Sequence, residues 1–241
     1  NGVERPVSFD INGCQETAVV VHSLAKWKRL ALKRYQFQVG EGLYTDMNAI
    51  RRDEALDALH SAYVDQWDWE KIISREDRNL DFLKQTVRSI VGALAETQSF
   101  LHTVFPQLSV LPKLTREVTF ITSQELEDLY PQLTPKEREH AFTQEHPVTF
   151  LIGIGGKLRY DDWSLNGDLL VWDSVNGQSL ELSSMGIRVD PEALDRQLAL
   201  AGCDDRRGLP FHKMLLNGEL PLTMGGGIGQ SRVSMALLGK A

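Results

Sequence analysis

Gly40-Glu-Gly-Leu-Tyr-Thr-Asp-Met-Asn-Ala-Ile50 and His60-Ser-Ala-Tyr-Val-Asp-Gln-Trp-Asp-Trp69 are two runs of alternating polarity separated by a charged stretch over 51–57. Alternation with aromatic and β-branched residues predicts an antiparallel strand pair joined by a charged loop. In the second run, period two sets Gln66 and Asp68 beside Val64 on one side and Asp65, Trp67 and Trp69 on the other. The commoner outcome for such a strand is a solvated polar face opposite an aromatic core face. The functional alternative is a zwitterion site, with Asp68 taking an ammonium and Gln66 a carboxylate.

Working outward, a β-branched run over 17–21 reads as a strand, and Leu24, Trp27 and Leu30/Ala31 set helical spacing over 23–33. A long amphipathic helix is expected over 80–105 and shorter ones over 124–130, 136–142, 191–201 and 211–216, with a buried strand over 148–154. Asn176-Gly177 between 169–172 and 180–184 is the strongest hairpin signal. A two-residue turn there pairs Trp172 with Glu181 and puts Asp168, Glu181 and Ser183 on one face, the two carboxylates ~13 Å apart. One ion bridges them only if a longer turn slides the register. Antiparallel pairs with helices between them argue for an α+β fold in one domain, 1–241.

The 241 residues carry 26 Lys and Arg against 33 Asp and Glu, a net charge of -7, so no global basic field recruits nucleic acid. The longest apolar stretch falls far short of the ~20 residues of a membrane helix. With only Cys14 and Cys203, a disulfide framework is not expected, and a reducing, cytoplasmic setting fits. Asn1 is not a Met, and Ala241 follows an apolar helical run, so both ends read as interior to a longer chain.

Two glycine runs invite nucleotide readings. Gly153-Ile-Gly-Gly-Lys157 lacks the phosphate-loop spacing, and Leu158 stands where Ser or Thr would meet magnesium, so that reading is rejected. Gly225-Gly-Gly-Ile-Gly229 is not a dinucleotide fingerprint and reads as a glycine loop opening the last helix. Arg232, three residues into that helix, offers a planar cation that stacks on a flat ring such as adenine.

His22-Ser-Leu-Ala-Lys-Trp-Lys-Arg29, Gly40-Glu-Gly-Leu-Tyr-Thr45, Tyr63-Val-Asp-Gln-Trp-Asp-Trp-Glu70, Gly153-Ile-Gly-Gly-Lys-Leu158, Glu181-Leu-Ser-Ser-Met-Gly-Ile-Arg-Val189 and Gly225-Gly-Gly-Ile-Gly-Gln-Ser-Arg232 run in order over nearly the whole chain. Together they closely resemble the ammonia-dependent asparagine synthetase family, whose catalytic domain is similar to class II aminoacyl-tRNA synthetases. The resemblance implies an antiparallel sheet flanked by helices, a homodimer, and ATP-dependent amidation of aspartate by ammonia through a β-aspartyl adenylate, with ATP and Mg²⁺ required. It implies that Ser23, Lys28 and Gln66 hold the carboxylate end of aspartate and Asp68 its ammonium. Arg51 is similar to the arginine on the α-phosphate, and Arg232 to the one stacked on adenine. Asp168 and Glu181 resemble acidic residues at the ATP and magnesium site, and Asp161, Ser183, Ser184 and Arg188 fall on further active-site positions. By residue type, Asp161 is assigned as acceptor of the proton lost from ammonium. The family also carries a segment ahead of Asn1, and longer loops between Leu158 and Tyr160 and between Ser164 and Leu165. An aspartyl-tRNA synthetase-like ligase is the nearest rival, opposed by the charge and the single-domain length. A non-catalytic synthetase-like regulator is opposed by the retention of Arg51, Asp68, Glu181 and Arg232.

Overall fold

A seven-stranded sheet forms the frame of the computed structural model, which describes residues 5–57, 59–154 and 160–240. In chain order the elements are β1 (Val7–Asp10), β2 (Thr17–Val20), α1 (Ala25–Arg34), β3 (Gly42–Ile50), β4 (Tyr63–Ile72) and α2 (Leu80–Val104). They continue as β5 (Thr119–Thr122), α3 (Ser123–Leu129), α4 (Pro135–Glu145), β6 (Val148–Ile152), β7 (Asp161–Asp173) and β8 (Gln178–Arg188). The chain then forms α5 (Pro191–Leu200), α6 (Pro210–Leu216), β9 (Thr223–Gly229) and α7 (Gln230–Leu238). The sheet order is β3-β4-β9-β8-β7-β6-β5, antiparallel except for the parallel β5–β6 pair at one edge, and β1–β2 form a separate ribbon. The α+β expectation holds, as does the antiparallel β3–β4 pair with its charged connection.

Local chemistry sets the helix starts. Asn79 accepts from the Phe82 N–H to open α2, Thr134 and Glu137 close a capping box ahead of Pro135 in α4, and Asp190 caps α5. On α2, Leu83, Val87, Val91 and Leu94 form an apolar stripe that packs with Phe150, Leu169, Leu180, Met185, Met224 and α7's Val233 and Leu237 into the main core. That core lies on one face of the sheet. The other face carries α1 against β3 and β4, the α5–α6 cluster, and α3–α4 over Leu151 and Leu170.

Three expectations change. The glycine run over 225–229 is a strand in the middle of the sheet, hydrogen-bonded to β4 and β8, and not a loop. Glycine is a poor strand former in general, but here side chains from both neighbours lie over β9. The hairpin turn is longer than two residues: Asp173 opposes Gln178, so Trp172 faces Ser179 and Glu181 faces Leu170. An irregularity between Leu169 and Leu170 then pairs Ser183 with Leu169 and Ser184 with Asp168. Finally, the polar side of β4 is the covered one: Asp68 and Glu70 are buried while Trp67 on the opposite side is 41% exposed. Of the Gly153–Leu158 block, residues 155–158 lie outside the described residues, as does most of the rejected phosphate-loop reading.

Candidate active site

The face of the sheet opposite the main core is organised in rows. Thr45, Asp68, Gly227, Ser184 and Asp168 are successive partners across β3, β4, β9, β8 and β7. The adjacent row is Leu43, Glu70, Gly225, Gly186 and Asn166, and Gln66 pairs with Gly229 on the other side. A Cβ on Gly225 would press against Glu70 Oε2 and Arg188 Nη2, and one on Gly227 against the Gln66 amide. The absent side chains of β9 are the floor on which the charged groups of β4 and β8 meet.

Over that floor stands a buried network. Arg188 Nε and Nη2 donate to Glu70 Oε2 at 3.1 and 2.9 Å, and its Nη1 donates to Asp161 Oδ1 at 2.5 Å. Thr223 Oγ1 donates to Glu70 Oε1 at 2.7 Å, and the Tyr160 hydroxyl lies 3.1 Å from the same oxygen and 3.0 Å from the Ala25 carbonyl. The Arg188 guanidinium sits 4.5 Å from the Tyr160 ring centre. Burial opposes the Arg188 charge, but Asp161 and Glu70 outweigh it and hold the group well above the usual arginine range. Burial raises the Asp161 carboxyl despite Arg188, and it drives the Tyr160 hydroxyl well up. Beside this network Lys28, fully buried on α1, pairs with Asp68. Burial lowers the lysine's pKa against the pull of Asp68. Arg29, next along α1, donates to the Val189 and Pro221 carbonyls and ties the helix to the sheet.

At the other end, the longer turn makes Leu170 rather than Trp172 the partner of Glu181, so Glu181 stands two residues along the hairpin from Asp168 instead of four. The ~13 Å separation of a two-residue turn is thereby corrected. Burial first, and then the Glu181 charge, push the Asp168 carboxyl well above the ordinary carboxylate range, with Ser184 hydrogen-bonding in the opposite sense. Arg232 Nη1 is 3.4 Å from Glu181 Oε2 and donates to the Glu181 carbonyl at 3.0 Å, while its Nη2 reaches the Leu59 carbonyl at 3.3 Å. The β3–β4 connection therefore touches this end of the site.

Lys28, Gln66, Asp68, Asp161 and Arg188 thus gather at one end, and Asp168, Glu181, Ser184 and Arg232 at the other. Three expected residues stand apart. The irregular pairing puts Ser183 beside Leu169 and Ile228 on the core side, correcting the parity expected from a regular hairpin. Ser23 is exposed, its Oγ accepting from Ala25 N–H at 3.1 Å. Arg51, half exposed on the β3–β4 connection, faces Glu54 at 3.6 Å. Glu70, which has no role among the expected site residues, shares the parity of Gln66 and Asp68 once β4 is carried on to Ile72, and it is buried on their side of the strand. Nothing local marks Tyr160 or Thr223.

Buried polar atoms lacking a hydrogen bond among the described residues include Asp68 Oδ2, both side-chain atoms of Asn166, and Asp168 Oδ1, all on this face. Such atoms are rare in folded proteins and costly. Their concentration here marks a surface built to meet a polar ligand. Asp168 and Glu181 offer hard carboxylate oxygens, one of them buried without a partner, which fits a magnesium ion.

A family model described as aspartate-ammonia ligase matches residues 1–241. An aspartate-ammonia ligase of Clostridium perfringens is 59% identical over 253 residues, spanning 100% of this chain and 75% of the relative. One from Fusobacterium nucleatum is 56% identical over 251 residues, spanning 100% and 76%. Among solved structures, Pyrococcus horikoshii asparaginyl-tRNA synthetase complexed with asparaginyl-adenylate superposes with a TM-score of 0.73 at 15% identity, over 99% of this chain and 57% of that one. The Entamoeba histolytica asparaginyl-tRNA synthetase with the same adenylate gives 0.69 at 16%, over 97% and 56%. At those identities the likeness is one of fold: the class II synthetase catalytic fold.

Proposed function

The chain belongs to the aspartate-ammonia ligase family, and from that premise we propose that the polar face of its sheet makes L-asparagine in two half-reactions through a β-aspartyl adenylate. The observation that carries this reading is a pair of charge constellations on one face, Lys28 with Asp68 at one end and Asp168 with Glu181 and Arg232 at the other, in which Asp68 Oδ2 and Asp168 Oδ1 are left without a hydrogen bond among the described residues. The first matches the α-ammonium and α-carboxylate of an amino acid, and the second a nucleotide.

In the assigned roles, Asp68 takes the ammonium of aspartate, and Lys28, Gln66 and Ser23 take its α-carboxylate, with Arg188 and Ser184 beside them. A carboxylate does not react with ammonia at neutral pH because its oxygen is a poor leaving group. The β-carboxylate oxygen therefore bonds to the α-phosphorus of ATP as the α–β phosphoanhydride bond breaks and pyrophosphate departs. Arg51 neutralises charge growing on the α-phosphate, and Arg232 stacks on adenine. Asp168 and Glu181 would hold Mg²⁺, which supplies charge neutralisation on the phosphates when bound. Ammonia then bonds to the acyl carbon, the acyl–oxygen bond to AMP breaks, and a proton leaves the nitrogen. Asp161 suits that proton, since burial lifts its pKa while Arg188 holds it in place.

We further propose a homodimer in the cytoplasm. The side of β3–β4 away from the site exposes Tyr44, Tyr63 and Trp67, an apolar surface suited to a second copy. The free Cys14 and Cys203 accord with a reducing compartment. Among the described residues no helix is long and apolar enough to cross a membrane. Offering ammonium, glutamine or tRNA separately with ATP and aspartate tests the function: asparagine and AMP are expected with ammonium, and transfer of aspartate to tRNA would overturn it.

A further inference from the structure

Asn166 is 1% exposed, and neither its Nδ2 nor its Oδ1 has a hydrogen-bond partner among the described residues. Its backbone is fixed on both sides, with Gly186 as its cross-strand partner and its carbonyl accepting from Gly153 N–H at 3.0 Å. The side chain belongs to the face that holds Asp168, and it stands at the end of the row Glu70, Gly225, Gly186. Between it and the Arg188 guanidinium above Gly225 the row carries only glycine. A Cβ on Gly186 would strike Asn166 Cβ, so that glycine is what leaves the asparagine in place. A buried primary amide with all its hydrogen-bonding capacity unspent destabilises the fold, and a hydrophobic side chain there would not.

The position is also chemically particular. Asn166 is the neutral group between two charged ends, Asp161 with Arg188 on one side and Asp168 with Glu181 on the other. About three strand spacings, ~14 Å of backbone, separate its strand from that of Asp68. An amide presents a donor and an acceptor together, the pair needed where an acyl oxygen and an incoming amine must be held side by side.

We infer that Asn166 contacts the reacting end of aspartate, its Nδ2 donating to the β-carboxyl oxygen and its Oδ1 accepting from the attacking ammonia. This rests on the function proposed above, and it adds to that function a specificity residue for the nitrogen donor. Asn166→Asp keeps the shape but replaces the donor with charge, and Asn166→Ala removes both groups. Each variant is compared with the full wild-type chain in steady-state assays varying ammonium, aspartate and ATP, with thermal melting alongside. The assignment predicts a fall in kcat/KM for ammonium of about tenfold or more in both variants, with the KM for ATP within about twofold. The melting temperature of Asn166→Ala should stay level or rise, because an unsatisfied amide is gone. Ammonium kcat/KM within about twofold of wild type in both variants, or a loss shared equally by all three substrates with a lowered melting temperature, would overturn it. A wild-type chain that makes no asparagine from ammonium would remove the function and this assignment together. An active wild type with unaffected variants removes the assignment alone.

Discussion

Arg188 and Glu70 meet across the backbone of a third strand: two guanidinium N–H groups from β8 reach one carboxylate oxygen from β4, at 3.1 and 2.9 Å, directly over Gly225 of β9. The pair is buried, and Asp161, Thr223 and Tyr160 complete its hydrogen bonds. A buried ion pair of this kind adds little net stability compared with apolar replacements, but removing one partner is costly. Its value is a guanidinium fixed in place beside the Lys28–Asp68 pair.

Glu70→Gln keeps the shape and halves the counter-charge on Arg188. Breaking a buried pair costs about 3–5 kcal/mol, so the melting temperature should fall by several degrees. Aspartate kcat/KM should fall more than ATP kcat/KM. Gly225→Ala attacks the same pair from below and should produce the same aspartate-selective defect. Equal losses for both substrates would detach the pair from aspartate binding.

Asp68→Asn tests the ammonium partner. Losing a charge-assisted hydrogen bond worth roughly 1.5–3 kcal/mol should lower aspartate kcat/KM about tenfold to a hundredfold or more. ATP binding should hardly change. Asp65→Asn is the control on the opposite side of β4, where Asp65 accepts from Ser231 Oγ at 3.0 and 2.9 Å at the start of α7. That variant should lose some stability and keep its aspartate dependence; the reverse pattern would misplace the site.

Asp168 supplies a pH signature. Its folded pKa lies well above the ordinary 3.8, so the unfolded chain releases this proton first as pH rises. The stability that Asp168 contributes is full below 3.8 and is lost as pH climbs through the raised value. Asp168→Asn should therefore melt close to wild type in acid and above it near neutrality, while magnesium-ATP binding weakens. Melting curves across pH check this. A variant less stable than wild type at neutral pH would contradict the raised pKa.

The β3–β4 pair, the long α2 helix and the side shared by Gln66 and Asp68 were legible because each rests on local periodicity. The hairpin register was not, since Asn176-Gly177 sits inside a longer turn and an extra residue near Leu182 reverses which serine faces the site. Nor was β9, because glycine favours a loop until one knows that Glu70, Gln66 and Arg188 need the space above it. Tyr160, Thr223 and Asn166 were invisible for a related reason: their roles come from partners, or from the lack of them, across strands far apart in sequence. The resemblance supplied residue roles that spacing alone left open, and Arg51 and Ser23 are two whose side chains make only local contacts, with Glu54 and the Ala25 N–H.

The central claim is that the β-carboxylate is activated as an adenylate, and oxygen tracing tests it most directly. Aspartate labelled with ¹⁸O in its β-carboxylate is turned over with ATP, magnesium and ammonium, and the phosphorus products are resolved by ³¹P NMR and mass spectrometry. The account predicts that AMP forms in step with asparagine and carries the label on its phosphate, while pyrophosphate carries none. ADP appearing with asparagine, with the label in inorganic phosphate, would mean an acyl phosphate intermediate and would contradict it.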